Sequence, residues 1–104
     1  MEKEIQTIVK ELKSKINARY TITEFKVFGS SARGDRHKYS DIDIFILIPN
    51  ASRQIEEDLF DIAYDLELKY DCLIDLIVFD DRFLAGKNAS LPIYQKVMSE
   101  GLSV

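Results

Sequence analysis

Cysteine, histidine, proline and tryptophan are almost missing from these 104 residues, which contain one Cys, one His, two Pro and no Trp. Cys72 alone cannot close an intrachain disulfide, which removes the disulfide-stapled secreted class and fits a reducing cytoplasm. One Cys and one His also cannot furnish a structural zinc site of the usual type. Four glycines without a repeat exclude a collagen-like chain. No apolar run approaches the roughly 20 residues that a bilayer span needs. The longest, Ile42–Pro49, is broken by Asp43. Met1-Glu2-Lys3-Glu4 opens the sequence without an apolar signal core, so the expectation is a cytoplasmic protein with no membrane contact.

What is present fits one domain over residues 1–104. Apolar residues reach 46% and charged ones 31%, a mix that excludes intrinsic disorder and a coiled coil. The net charge of −4 argues against direct nucleic-acid binding. Its distribution is uneven. Lys26, Arg33, Arg36 and Lys38 face only Asp35 within one short stretch, whereas Arg53–Asp81 holds ten acidic residues against Arg53 and Lys69. A basic loop in an acidic protein reads as a small anion pocket.

Periodicity divides the chain into elements. Ile5, Ile8, Val9, Leu12 and Ile16 form one apolar stripe, predicting an amphipathic helix over Glu4–Ala18. Ile22–Phe28 reads as a strand that stops at Gly29, and Gly29–Gly34 suits a tight turn into a short helix. Asp41–Ile48 is a second strand, apolar enough to be central and covered on both faces. Arg53–Lys69 is a helix with Ile55, Leu59, Ile62, Ala63 and Leu66 inward and Glu56, Glu57, Asp58, Asp61 and Asp65 outward. Cys72–Phe79 is a third strand, Asp80–Ala89 a loop, and Ser90 a cap for a last helix with Pro92 in its first turn and Gly101 after its end. The order predicts an α/β or α+β domain, a small sheet of three or more strands with helices packed on it.

Three features carry chemistry. Gly29-Ser30 ends one strand and opens a turn. Asp41 and Asp43 lie two apart on the next strand, so both carboxylates share one face about 6–7 Å apart at the backbone. Asp75 is the one charge in the third strand. Three carboxylates gathered together repel unless a cation relieves them, and Mg2+ is held by such carboxylates plus phosphate oxygens. The Gly-Ser turn offers backbone N–H groups and a hydroxyl for phosphate. Each feature also has a plainer account: a turn, a cap, and for Asp75 an edge strand or a bridge to Arg33 or Lys26.

Gly29-Ser30, ten intervening residues and Asp41-Ile42-Asp43 together resemble the GSx10DxD motif of the nucleotidyltransferase superfamily related to DNA polymerase β. The string GSSARGDRHKYSDIDIFI is similar to minimal nucleotidyltransferases, the MNT domains, and the likeness covers nearly the whole chain. The resemblance implies a mixed sheet in a palm-like fold. It implies two Mg2+ ions bound by Asp41 and Asp43, with Asp75 holding one of them and helping to activate the acceptor hydroxyl. Gly29 and Ser30 match the pair that holds the β- and γ-phosphates of a nucleoside triphosphate, ATP being the expected one. Arg33 is a candidate to neutralise triphosphate charge. Arg36 in the same loop is a further candidate for that charge, and His37 and Tyr39 fit either a stack on the base or plain loop surface and packing.

MNT proteins commonly accompany a small helical HEPN protein as a toxin–antitoxin pair, and in that setting AMP is transferred to the HEPN toxin. At 104 residues no helical acceptor domain is expected, so a partner or a homo-oligomer would complete the acceptor site. Two alternatives stay open: an antitoxin that acts by binding alone, and a transferase for a small molecule of the aminoglycoside kind.

Overall fold

The computed structural model describes residues 2–29, 32, 41–84 and 91–104. Helix α1 spans Lys3–Asn17, strand β1 Glu24–Phe28, strand β2 Ile42–Ile48, helix α2 Arg53–Tyr70 and strand β3 Ile74–Asp80. A 3-10 turn over Asp81–Leu84, helix α3 over Pro92–Glu100 and strand β4 over Leu102–Ser103 complete it. The fold is α+β: among the described residues, three helices pack on a four-stranded mixed sheet in the order β3-β2-β1-β4. β2 runs antiparallel to β1 and parallel to β3, and β4 pairs antiparallel with β1. A parallel pair needs a crossover connection, and α2 supplies it.

Alternation along β2 separates two cores. Ile42, Ile44, Ile46 and Ile48 face α1 and α2, packing with Ile5, Ile8, Val9, Leu12 and Ile16 from the first helix. Leu59, Ile62, Ala63 and Leu66 come from the second. The other face is smaller: Phe28, Phe45 and Leu47 pack with Val97 of α3. Phe79 and Tyr94 meet the Phe45 ring edge-on, at 5.5 and 5.8 Å between centroids.

Ends are set by local chemistry. Ser52 caps α2 by accepting from the Ile55 N–H at 3.2 Å. Asp71 closes that helix in the left-handed region at φ 51°. The sequence expectations need correction at several places: β1 starts at Glu24 and not Ile22, and β2 starts at Ile42, which leaves Asp41 just before the strand. β3 starts at Ile74 and extends through Asp80, so Asp80 belongs to the strand. The loop's first residues form the 3-10 turn. The position capping α3 is Leu91, with Pro92 as the first helical residue, so the cap lies one residue beyond Ser90, which is outside the described residues. β4 has no counterpart in the sequence reading; it is two residues long and owes its form to pairing with Lys26 and Val27.

Candidate active site

Strand register assembles the site. Asp43 of β2 stands opposite Asp75 of β3 on one side and Phe28 of β1 on the other. Register partners project to the same face from strands about 4.8 Å apart, so the two carboxylates are neighbours on one rung. Asp41 precedes β2 by one residue and continues its alternation toward the same face. That face also carries Phe45 and Leu47, so the aspartates occupy one end of the sheet surface that α3 covers further along. Asp41 and Asp75 are exposed and Asp43 is half-buried.

Gly29 meets this rung from β1. Its φ of +70° lies in the left-handed region, and a Cβ placed there would collide with Oδ2 of Asp43 and come within 3.3 Å of its Cγ. The conformation therefore favours glycine, and any larger residue would also make the Asp43 carboxylate shift. Ser30 and Arg33 lie outside the described residues, as do Arg36, His37 and Tyr39.

The expectation for Asp75 changes in its reason. Asp75 is the second residue of β3, and β3 is an edge of the sheet, so its charge meets water and bears no burial cost. Among the described residues Asp75 forms no bridge to Lys26, whose ammonium donates to Ser103 Oγ at 3.2 Å, and Arg33 lies outside them. What distinguishes Asp75 is the rung it shares with Asp43. Two carboxylates on one rung are oxygen donors that a single cation could share. Among the described residues, no three His, Cys, Asp or Glu side chains are gathered closely enough to hold a metal ion as they stand. The backbone puts Asp41, Asp43 and Asp75 on one face without converging all three carboxylates.

Lys26, one of the basic residues that the sequence reads as an anion pocket, lies one rung from Asp43 on the same face. The alternation of Glu24, Lys26 and Phe28 in β1 was the signal for it.

The nucleotidyltransferase domain family matches residues 5–91 of this chain. A protein of Methanocaldococcus jannaschii named "Putative protein adenylyltransferase MJ0604" is 37% identical over 101 residues, covering 96% of this chain and 93% of the relative. A solved structure named "putative minimal nucleotidyltransferase" superposes with a TM-score of 0.63 at 20% identity, covering 96% of this chain and 95% of the other. The MNT antitoxin complex with tri-AMPylated Shewanella oneidensis HEPN toxin gives 0.59 at 17% identity, covering 99% of this chain and 71% of the matched one. At those identities the superpositions speak for the fold.

Proposed function

The chain belongs to the nucleotidyltransferase domain family, and from that premise we propose that it transfers AMP from ATP, with Mg2+, to a hydroxyl of a small helical HEPN protein as the antitoxin of a toxin–antitoxin pair. The observation that carries the reading is the shared rung of Asp43 and Asp75, with Gly29 packed on the Asp43 carboxylate. The name of the Methanocaldococcus jannaschii relative supports AMP as the group and protein as the acceptor. The complex with AMPylated HEPN toxin supports the class of partner.

The donor set fits magnesium: oxygen ligands from carboxylates, open to water and to a triphosphate. Asp41 and Asp43 would hold two ions and Asp75 one of them, rotation of the exposed Asp41 and Asp75 side chains bringing the three carboxylates together. Magnesium held by these carboxylates would supply positive charge against the α-phosphate and lower the pKa of the acceptor hydroxyl. Gly29 leaves the backbone bare, so that phosphate oxygens approach its N–H groups. Ser30 donates its hydroxyl to the β- and γ-phosphates, and Arg33 offsets their charge. Asp75, nearest the sheet edge, orients the acceptor and takes its proton. The acceptor oxygen then bonds to the α-phosphorus, the bond to the β-phosphate breaks, and pyrophosphate leaves.

The test is incubation of the chain with ATP labelled at its α-phosphate, Mg2+ and a small helical HEPN protein. Label on the partner that disappears with Asp43→Asn is the expected result. Neutralisation of the partner's toxicity with no label would mean that binding alone suffices. Label on an aminoglycoside with no protein present would assign a small-molecule acceptor.

A further inference from the structure

The outward face of α2 carries more apolar surface than the fold needs. Its inward stripe, Leu59, Ile62, Ala63 and Leu66, already fills the core against α1 and the sheet. Phe60, Tyr64 and Leu68 point the other way and are 49%, 58% and 66% exposed. They follow one another at four-residue spacing, so they line one ridge of the helix about 12 Å long. A surface helix ordinarily keeps this face polar.

Acidic groups surround the ridge. Glu57, Asp61 and Asp65 are interleaved with it and exposed. Among the described residues Asp61 and Asp65 have no ion-pair or hydrogen-bond partner, and Glu57 meets only the 92% exposed side chain of Arg53. Two copies of this helix laid face to face would bring like charges together, so a second copy of the chain is a poor occupant. A surface with lysine or arginine beside its apolar residues is complementary in both respects.

We infer that the Phe60–Tyr64–Leu68 ridge of α2 is a docking surface for a protein partner whose own face sets apolar residues among basic ones. α2 covers the opposite sheet face from Asp43 and Asp75, so a partner seated there leaves the transfer site open. The inference stands on α2 alone and does not depend on which group the site transfers.

The probes are two synthetic helical peptides, one with a leucine stripe flanked by lysines and the other with those lysines replaced by glutamates. Binding is followed by amide shift mapping on the full chain, alongside sedimentation equilibrium. The lysine peptide is expected to shift amides of residues 57–69, and the glutamate peptide to leave them unmoved. Phe60→Ser with Leu68→Ser should weaken binding about tenfold or more, and so should Asp61→Lys with Asp65→Lys. All four positions are exposed, so thermal melting should show every variant folded. Equal binding by both peptides, shifts centred on Asp43 and Asp75, or undiminished binding by folded variants would overturn the inference. So would a dimer that Leu68→Ser dissolves, since the ridge would then belong to a second copy.

Discussion

Gly29 and Asp75 test the site one side chain at a time. Gly29→Ala places a Cβ in left-handed backbone, which costs about 1–2 kcal/mol for an L-residue, and drives it into the Asp43 carboxylate. The expected outcome is a melting temperature lower by several degrees together with loss of AMP transfer, measured by calorimetry and by label incorporation. Asp75→Asn acts differently. It removes one of two repelling carboxylates at an exposed edge, so the melting temperature in the absence of Mg2+ should hold or rise. Transfer should drop by about a hundredfold or more if Asp75 handles the acceptor proton. A fall in melting temperature with transfer intact would remove Asp75 from the site.

At the scale of elements, two side-chain clamps hold α1 and its C-terminal extension to α2. Asp58 of α2 accepts from Arg19 Nη1 at 2.7 and 2.9 Å and from the Tyr20 hydroxyl at 2.7 Å. Glu11 of α1 accepts from Lys69 at 3.0 Å on both oxygens and from the Tyr70 hydroxyl at 2.5 Å. The Tyr20 and Arg19 hydrogen bonds lower the Asp58 carboxyl below its usual 3.8, and those from Tyr70 and Lys69 lower Glu11 below 4.5. A carboxyl depressed on folding stabilises above its unfolded pKa, and that contribution is lost as pH falls through the folded value. The same hydrogen bonds raise Tyr20 and Tyr70 above 10.0, so their contribution is lost on the alkaline side. The melting temperature should therefore be flat between about pH 5 and 9 and decline outside that range. Glu11→Gln with Asp58→Asn should lower the plateau and flatten the acid decline. A double variant with an unchanged acid limb would show that the clamps contribute nothing there.

Those clamps show why some of the fold was legible and some was not. The stripes of α1 and α2 and the alternation of β2 are properties of the local sequence, and each element formed where its period placed it. The two-residue spacing of Asp41 and Asp43 was likewise legible, but that the strand begins only at Ile42, between them, was not. The rung shared by Asp43 and Asp75 was not. CLIDLIVF reads the same in an inner strand and an edge strand, and nothing in it states that β3 lies parallel to β2. β4 was invisible because two residues carry no period, and its form comes from the neighbouring Lys26 and Val27. Leu91 takes the capping position without a side-chain hydrogen bond, so residue type at Ser90 pointed one position too early.

For the whole molecule, the two faces of the sheet are unequally secured, and that inequality predicts where the protein opens first. β2 pairs with β3 along its length and with β1 from Asp43 to Leu47, and all of its residues but Asp43 are buried. The face against α1 and α2 holds most of the buried apolar side chains. α3 is nine residues long, lacks a side-chain cap and contributes Val97 as its one buried residue. Free energies of local opening follow buried apolar contact and backbone protection, so α3 should open at a fraction of the global cost. Native-state hydrogen exchange should find the amides of Tyr94–Glu100 exchanging well before those of Ile44–Ile48. Phe45→Ala sharpens the test. It removes the ring that both Tyr94 and Phe79 pack on edge-to-face, at about 3–5 kcal/mol for a buried phenylalanine. Protection in α3 should collapse in that variant while α1 and α2 still exchange together at the slower, reduced global rate. If α3 instead exchanges in step with β2 in the unmodified chain, the small core is as firmly closed as the large one, and the site's face of the sheet is not the one that opens.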